Sequence, residues 1–453
     1  MRYSVTPFTN HLGTIMKKLR FVLFAAAMLC GSAAIAEDTT KERLQQEVEA
    51  LQAQLQKLQA QVEALAGQQE KVMAAQPAMV QATAQSAAAQ ESKASSDTTI
   101  GGYGEMNYNN FLKDSSRNQA DLRRFVLFFG HRFDDRLSFN SEVEWEHAVT
   151  SADDKGEAEI EQAYLNYGVS PGLNLKAGLF LMPFGFLNQS HEPPVYYGVE
   201  RNNVETRIIP STWREGGVGL YGSTDSGLAW DLGVTTGFSV AKFDDPSSPL
   251  ASIHQELQLA NARDLATYGA LNYRGVPGLT VGAAVFSGNS GQGNAAFKAD
   301  NTQPDFSGIN ARVTLWDVHT RWQAGGADIQ ALYAKGMIAD ADKIDSVLLS
   351  YNNQTGANRP YVPSEFTGWL VQGAYTVWRR GNMSLAPFVR YEQYNTQSKM
   401  PLGIVADPAN ADRVTTIGFS FRPHPQVVLK ADYQKYRDNP VNDSINLGLG
   451  YMF

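Results

Sequence analysis

From residue 98 to residue 453 the chain is a succession of segments about ten residues long in which apolar and polar side chains alternate. Period-two alternation puts one kind of side chain on each face of a strand. In SINLGLGYMF (444–453), Ile445, Leu447, Leu449, Tyr451 and Phe453 share one face, and Asn446, Gly448 and Gly450 share the other. In RLSFNSEVEWE (136–146), Leu137, Phe139, Val143 and Trp145 oppose Ser138, Asn140, Glu142, Glu144 and Glu146. In LNLKAGLFL (173–181), Leu173, Leu175, Ala177, Leu179 and Leu181 oppose Asn174, Lys176 and Gly178. A greasy strand ending on an aromatic residue is an aggregation hazard unless something covers it.

Soluble sandwiches alternate too, so the connections must discriminate. Short turns fall at FDDR near Asp134, SPG at Ser170, TDSG at Thr224, GVPG at Gly275, AGG at Ala324, RRGN at Arg379 and RPHPQ at Arg422. Between them lie longer loops at Ser151, after Met182 and near Asp244, Asn289, Asp340 and Pro401. Short turns on one side and long loops on the other are the plan of a transmembrane β-barrel, and counting segments predicts about 16 antiparallel strands. The expected fold is all-β, a 16-stranded antiparallel transmembrane barrel, preceded by a short α-helical coiled coil. The closing strand then pairs with the first, and outer-membrane lipid covers its apolar face.

The first 97 residues have a different character. MKKLR (16–20), the apolar run FVLFAAAMLC (21–30) and AIA (34–36) form an export signal. It is expected to end at Ala36, with Met16 the expected true start. Acylation of Cys30 is the rival reading, against which stands the bulky Leu29 before it. The apolar run is too short to span a membrane as a helix. Within residues 37–73, Leu44, Val48, Leu51, Leu55, Leu58, Val62 and Leu65 alternate four and three apart. That is the narrow seam of a coiled coil, expected to aid oligomerisation, with Val and Leu in the seam leaning towards two strands. A solitary amphipathic helix would carry a wider apolar stripe. Residues 74–97, rich in Ala, Gln and Ser without an aromatic, read as a flexible linker to the barrel domain at 98–453.

Residues 1–36 hold four of the 38 Lys and Arg and none of the 46 Asp and Glu, so the remainder carries a net charge of −12. This disfavours nucleic acid as a partner. The single cysteine lies in the signal, so no disulfide is expected after cleavage.

DLRRFVLFFGHRFDDRLSFNSEVEWEH, EIEQAYLNYGVSPGLNLKAGLFLMPFG and the terminal Phe resemble outer-membrane porins of the phosphate-selective O/P type. The resemblance spans roughly the whole barrel. It implies sixteen strands, a homotrimer, a third loop folded into the pore, and an aromatic end, here Tyr451 and Phe453, that outer-membrane assembly machinery reads. A periplasmic coiled coil before the barrel is also known among outer-membrane channels. The implied function is passive diffusion of small hydrophilic solutes and ions.

The expected constriction is residues 183–217, longer than a surface connection requires. Pro193, Pro194 and Pro210 stiffen it, and Tyr196, Tyr197, Ile208, Ile209 and Trp213 can pin it to the wall. His191, Glu192, Arg201, Glu205, Arg207 and Arg214 from the loop, with Arg124, Glu142, Glu144 and Lys176 from the wall, are the expected pore-lining set. The alternative for each is a charge that pairs to hold the loop in place. A phosphate-selective pore should concentrate positive charge, whereas residues 183–214 hold three Arg and no Lys against Glu192, Glu200 and Glu205. The expected channel is general, with at most a modest anion or phosphate preference. A structural anchor, tethering the envelope through the coiled coil, is the competing function. Neither a catalytic motif nor metal-ligand spacing among the seven His is visible, so no enzyme activity and no cofactor are expected.

Overall fold

The computed structural model describes residues 97–293 and 303–453. The expected signal, coiled coil and linker, including the seam Leu44 to Leu65, lie outside the described residues. Among the described residues no helix is long and apolar enough to cross a membrane. The crossing elements are strands.

Sixteen antiparallel strands, each hydrogen-bonded to its neighbours in sequence, form a closed barrel. The first six, which carry most of the site, are β1 (Thr98–Phe111), β2 (Gln119–Arg132), β3 (Leu137–Glu146), β4 (Ala158–Ser170), β5 (Leu173–Leu181) and β6 (Arg214–Ser223). Glu365–Tyr375 and the short Trp378–Arg380 both pair with Met383–Lys399 and count as one interrupted strand. The barrel closes where β1 pairs with Ser444–Met452, in register from Tyr103↔Met452 to Phe111↔Ser444. Closure satisfies every strand edge, which is what a hydrocarbon environment demands.

The alternation sorts as the sequence predicts. On the last strand Ile445 and Leu447 face outward, about half exposed, while Asn446 faces inward with 1% exposure. Trp145 faces outward, and Glu142 and Glu144 are buried inside. The seven short turns all fall where the sequence puts them.

Gly101 and Gly102 explain how the end of the chain seats. Phe453 N–H donates to Gly102 O at 2.8 Å, and Gly102 N–H donates back to Phe453 O at 3.0 Å. A Cβ on Gly102 would lie 2.3 Å from Val126 O and 3.1 Å from the Phe453 ring, so only glycine fits there. The exposed ring sits at the rim of the apolar belt, where an aromatic side chain is favoured. Phe453→Asp should therefore lower the yield of folded barrel in the outer membrane several-fold. The measurement is the heat-modifiable fraction on electrophoresis, and a normal yield would count against this role.

The inner face departs from the simple porin expectation on one side. Tyr268, Ala270, Phe286, Leu315, Leu332 and Phe366 point inward and pack with Phe238, Val240, Phe243 and Leu250 from the 236–265 loop. Ile344 and Leu348, from the helix α1 (Ala341–Thr355), join the same core. Loops cover this stretch of the inner face with apolar side chains, while Asp317, His319, Asp328 and Gln330 on the same inward faces are buried polar residues.

Helix α1 departs from the all-strand reading of the barrel zone. Its buried positions Ala341, Ile344, Asp345 and Leu348 follow helical spacing, and Gly356, at φ 72°, ends it as its N–H donates to Asn352 O. Burial pushes the Asp345 carboxyl up to about 7, against the hydrogen bond that Val362 N–H donates to it at 2.8 Å. A carboxyl raised in the folded state takes up a proton on folding. Its docking is thus strongest at low pH, weakens as pH rises from about 4 to 7, and is flat above that. Asp345→Asn keeps the acceptor oxygen and removes the charge. It should slow hydrogen exchange of α1 at pH 8 and change it little at pH 4.

Candidate functional site

The loop joining β5 to β6 enters the barrel because its apolar side chains have a core to join. Met182, Phe184, Ile208, Ile209 and Trp213 are at most 1% exposed. The Trp213 ring lies 5.0 Å from Phe184, 5.2 Å from Phe238 and 4.9 Å from Phe286. One side chain, Asn188, ties the loop's two ends together. Its amide donates to Met182 O at 2.7 Å and Trp213 O at 2.8 Å, and its oxygen accepts from Trp213 N at 2.7 Å.

Glu205 holds the loop's interior turn. Its carboxylate accepts from Phe186 N, from Leu187 N at 2.7 Å and from the Asn202 amide at 2.6 Å. Gly185, at φ 59°, is required beneath it, because a Cβ would stand 2.2 Å from the Glu205 oxygen. Burial pushes the Glu205 carboxyl above the ordinary range, and the three donors pull against that shift.

The loop then crosses to the opposite wall. Tyr196 donates to Glu105 at 2.8 Å and Tyr197 to Asp328 at 3.1 Å. Val199 N–H donates to Asp432 at 2.6 Å, and Asn203 gives Glu392 two bonds of 2.8 Å, one from its backbone and one from its side chain. Lys430 donates to Gly198 O at 2.8 Å and lies 3.4 Å over the Tyr196 ring. Charged wall residues of the late strands thus bond the loop's backbone and tyrosines. A segment anchored on β1 and on the late strands, while rooted at β5 and β6, spans the lumen.

The expected lining residues fall into distinct environments. Arg124 sits among Glu105 at 3.5 Å, Glu144 at 3.3 Å and Glu146 at 3.4 Å. Arg214 is clamped by Glu159 at 2.5 Å and Glu256 at 2.9 Å. Lys176 pairs with Asp231 at 2.6 Å, apart from that group. Glu192 is 3% exposed, and burial pushes its carboxyl up. Arg201 donates to Ser211 Oγ, and Arg207 donates to Asn203 Oδ1 at 3.2 Å with its guanidinium 5.0 Å from the Tyr394 ring. Among the described residues neither has a carboxylate within 4.0 Å, and both keep partial exposure.

Glu159 and Glu161 on β4 also face the lumen, although neither is among the lining residues expected from the sequence. Both lie on the inward face opposite Ile160, which is 53% exposed, so the alternation that picks out Glu142 and Glu144 on β3 finds them too. Donor atoms of Glu142, Glu161 and His191 all lie within 4.8 Å of one another, as do those of Glu144, Glu159 and Glu161. Charge of both signs is therefore concentrated where the loop meets β3 and β4.

No family model matches the sequence. A protein of Aquifex aeolicus (strain VF5), itself uncharacterised, is 33% identical over 361 residues, covering 78% of this chain and 80% of that one. The chain belongs to one family with that Aquifex protein. Among solved structures, OmpF of Salmonella typhi in complex with daunomycin aligns with a TM-score of 0.52 at 14% identity, covering 79% of this chain and 97% of that one. The outer membrane channel DcaP of Acinetobacter baumannii aligns at 0.48 with 16% identity, covering 81% and 100%. The likeness to OmpF is one of fold, that of a porin-type barrel.

Proposed function

We propose that this barrel is an outer-membrane porin, a water-filled channel for passive diffusion of small hydrophilic solutes and ions. The observation that carries it is the 32-residue connection between β5 and β6, which runs through the interior of a closed sixteen-stranded barrel and is bonded to its far wall. A barrel serving only as an anchor needs no such crossing segment. Two arginines on that segment with no carboxylate within 4.0 Å, Arg201 and Arg207, favour a modest anion preference, and the acidic groups and paired charges around them argue against a dedicated phosphate path. The functional assembly is a homotrimer in outer-membrane lipid, inserted by the outer-membrane assembly machinery.

Proteoliposome swelling tests the channel against the anchor. Liposomes carrying the purified chain should swell in small sugars, more slowly as sugar mass rises. Folded barrel that admits none of them would leave the envelope anchor as the function.

A further inference from the structure

We propose that Glu142, Glu161 and His191 form a binding site for a divalent first-row transition cation of the zinc type, which staples the crossing loop to β3 and β4. The three side chains come from three elements, β3, β4 and the loop, and are 2%, 0% and 3% exposed. His191 Nε2 lies 3.4 Å from Glu142 Oε1 and 3.6 Å from Glu161 Oε2. Those separations are long for hydrogen bonds. They match the edge of a tetrahedron whose metal–ligand bonds are about 2.0–2.2 Å, an edge of about 3.3–3.6 Å. His191 Nε2, Glu142 Oε1 and both Glu161 oxygens have no hydrogen-bond partner, although all are sealed from solvent. Buried polar atoms almost always find one. A cation at the point where His191 Nε2, Glu142 Oε1 and Glu161 Oε2 converge would satisfy those three together.

The surroundings supply what a metal site needs behind its ligands. His191 Nδ1 lies 3.2 Å from Asn188 O, which can only accept, so Nδ1 donates there and Nε2, facing the carboxylates, is the nitrogen a metal would take. The other Glu142 oxygen accepts from Gln162 Nε2 at 2.7 Å, which fixes that carboxylate's rotation. Asn188 is also the residue that ties the loop's ends together, so its backbone carbonyl orients the ligand and its side chain closes the loop. One imidazole and two carboxylates suit zinc or its neighbours better than calcium, which takes six to eight oxygens. No sequence motif announces the site, because its donors are 19 to 49 residues apart along the chain.

The inference does not depend on the porin reading, and its test measures binding rather than conductance. Purified full-length protein is stripped with a chelator, re-equilibrated with Zn²⁺, and assayed for metal per chain. Wild type should bind one Zn²⁺ per chain. His191→Ala and Glu161→Gln should each bind it at least tenfold more weakly, with the barrel shown intact by circular dichroism and heat-modifiability. Zn²⁺ should also slow proteolysis of residues 182–213 in wild type and not in His191→Ala. Absence of stoichiometric zinc in folded wild type, or undiminished zinc in both variants, overturns the site and leaves His191 as an imidazolium held between carboxylates. If His191→Ala fails to fold, Co²⁺ titration of wild type decides. Intense visible bands saturating at one equivalent support the site, and the weak spectrum of aqueous Co²⁺ overturns it.

Discussion

Glu205→Ala is expected to free the crossing loop while leaving the barrel folded. The alanine leaves Phe186 N–H, Leu187 N–H and the Asn202 amide without their acceptor, inside a turn where Glu205 itself is 3% exposed. An abandoned buried donor costs about 1–3 kcal/mol, so three of them give a local loss of several kcal/mol even if the terms are not additive. Strand pairing is untouched, because none of the three donors belongs to the sheet. Amide exchange across 182–213 should accelerate by roughly 100-fold or more, at about 1.4 kcal/mol per tenfold, with strand amides unchanged. Glu205→Gln keeps one acceptor oxygen and should fall between the two. Unchanged exchange in the alanine variant would mean that the apolar contacts of Trp213 and its neighbours hold the loop unaided.

Neutralising Arg201 and Arg207 together is expected to turn ion selectivity towards cations. These are the loop's cations without an ion-pair partner, whereas Arg214 is balanced by Glu159 and Glu256. One charge about 10 Å from a passing ion, through an effective dielectric of about 50, contributes roughly 0.7 kcal/mol with opposite signs for an anion and a cation, or about tenfold in their permeability ratio. Arg201→Gln with Arg207→Gln should thus move the anion-to-cation ratio down by more than an order of magnitude. Arg214→Gln should instead destabilise the loop, because it strips two carboxylates of their cation. Reversal potentials under a salt gradient separate the two effects. Equal shifts from all three arginines would show that pairing does not mask Arg214.

The barrel is legible because each strand crosses a boundary between two solvents, and that boundary is written residue by residue. Leu447 and Asn446 report opposite faces from sequence alone, and turns such as SPG at Ser170 give the direction of each connection. The crossing loop's entry into the lumen is legible from its length, prolines and aromatics, and Trp213 and Ile208 do pack where such anchors should. What each loop charge does is not legible. Glu205 and Arg207 stand two residues apart, yet one is enclosed by backbone donors and the other lies against Tyr394. Only tertiary contact separates them. The Glu142, Glu161 and His191 cluster is hidden for the same reason, since three elements must converge before spacing has meaning. Helix α1 is hard to see because its 15-residue amphipathic stretch stands against a background of strands, although Ala341, Ile344 and Leu348 carry its period.

The central claim is that solutes cross the membrane through this barrel past the 182–213 loop. Single-channel recording of the purified full-length protein in planar bilayers tests it most directly. The porin reading predicts discrete, ion-conducting steps from the wild type and larger steps from Glu205→Ala, in which the loop no longer bridges the lumen. Folded, inserted protein that gives no steps, with Glu205→Ala equally silent, would contradict it.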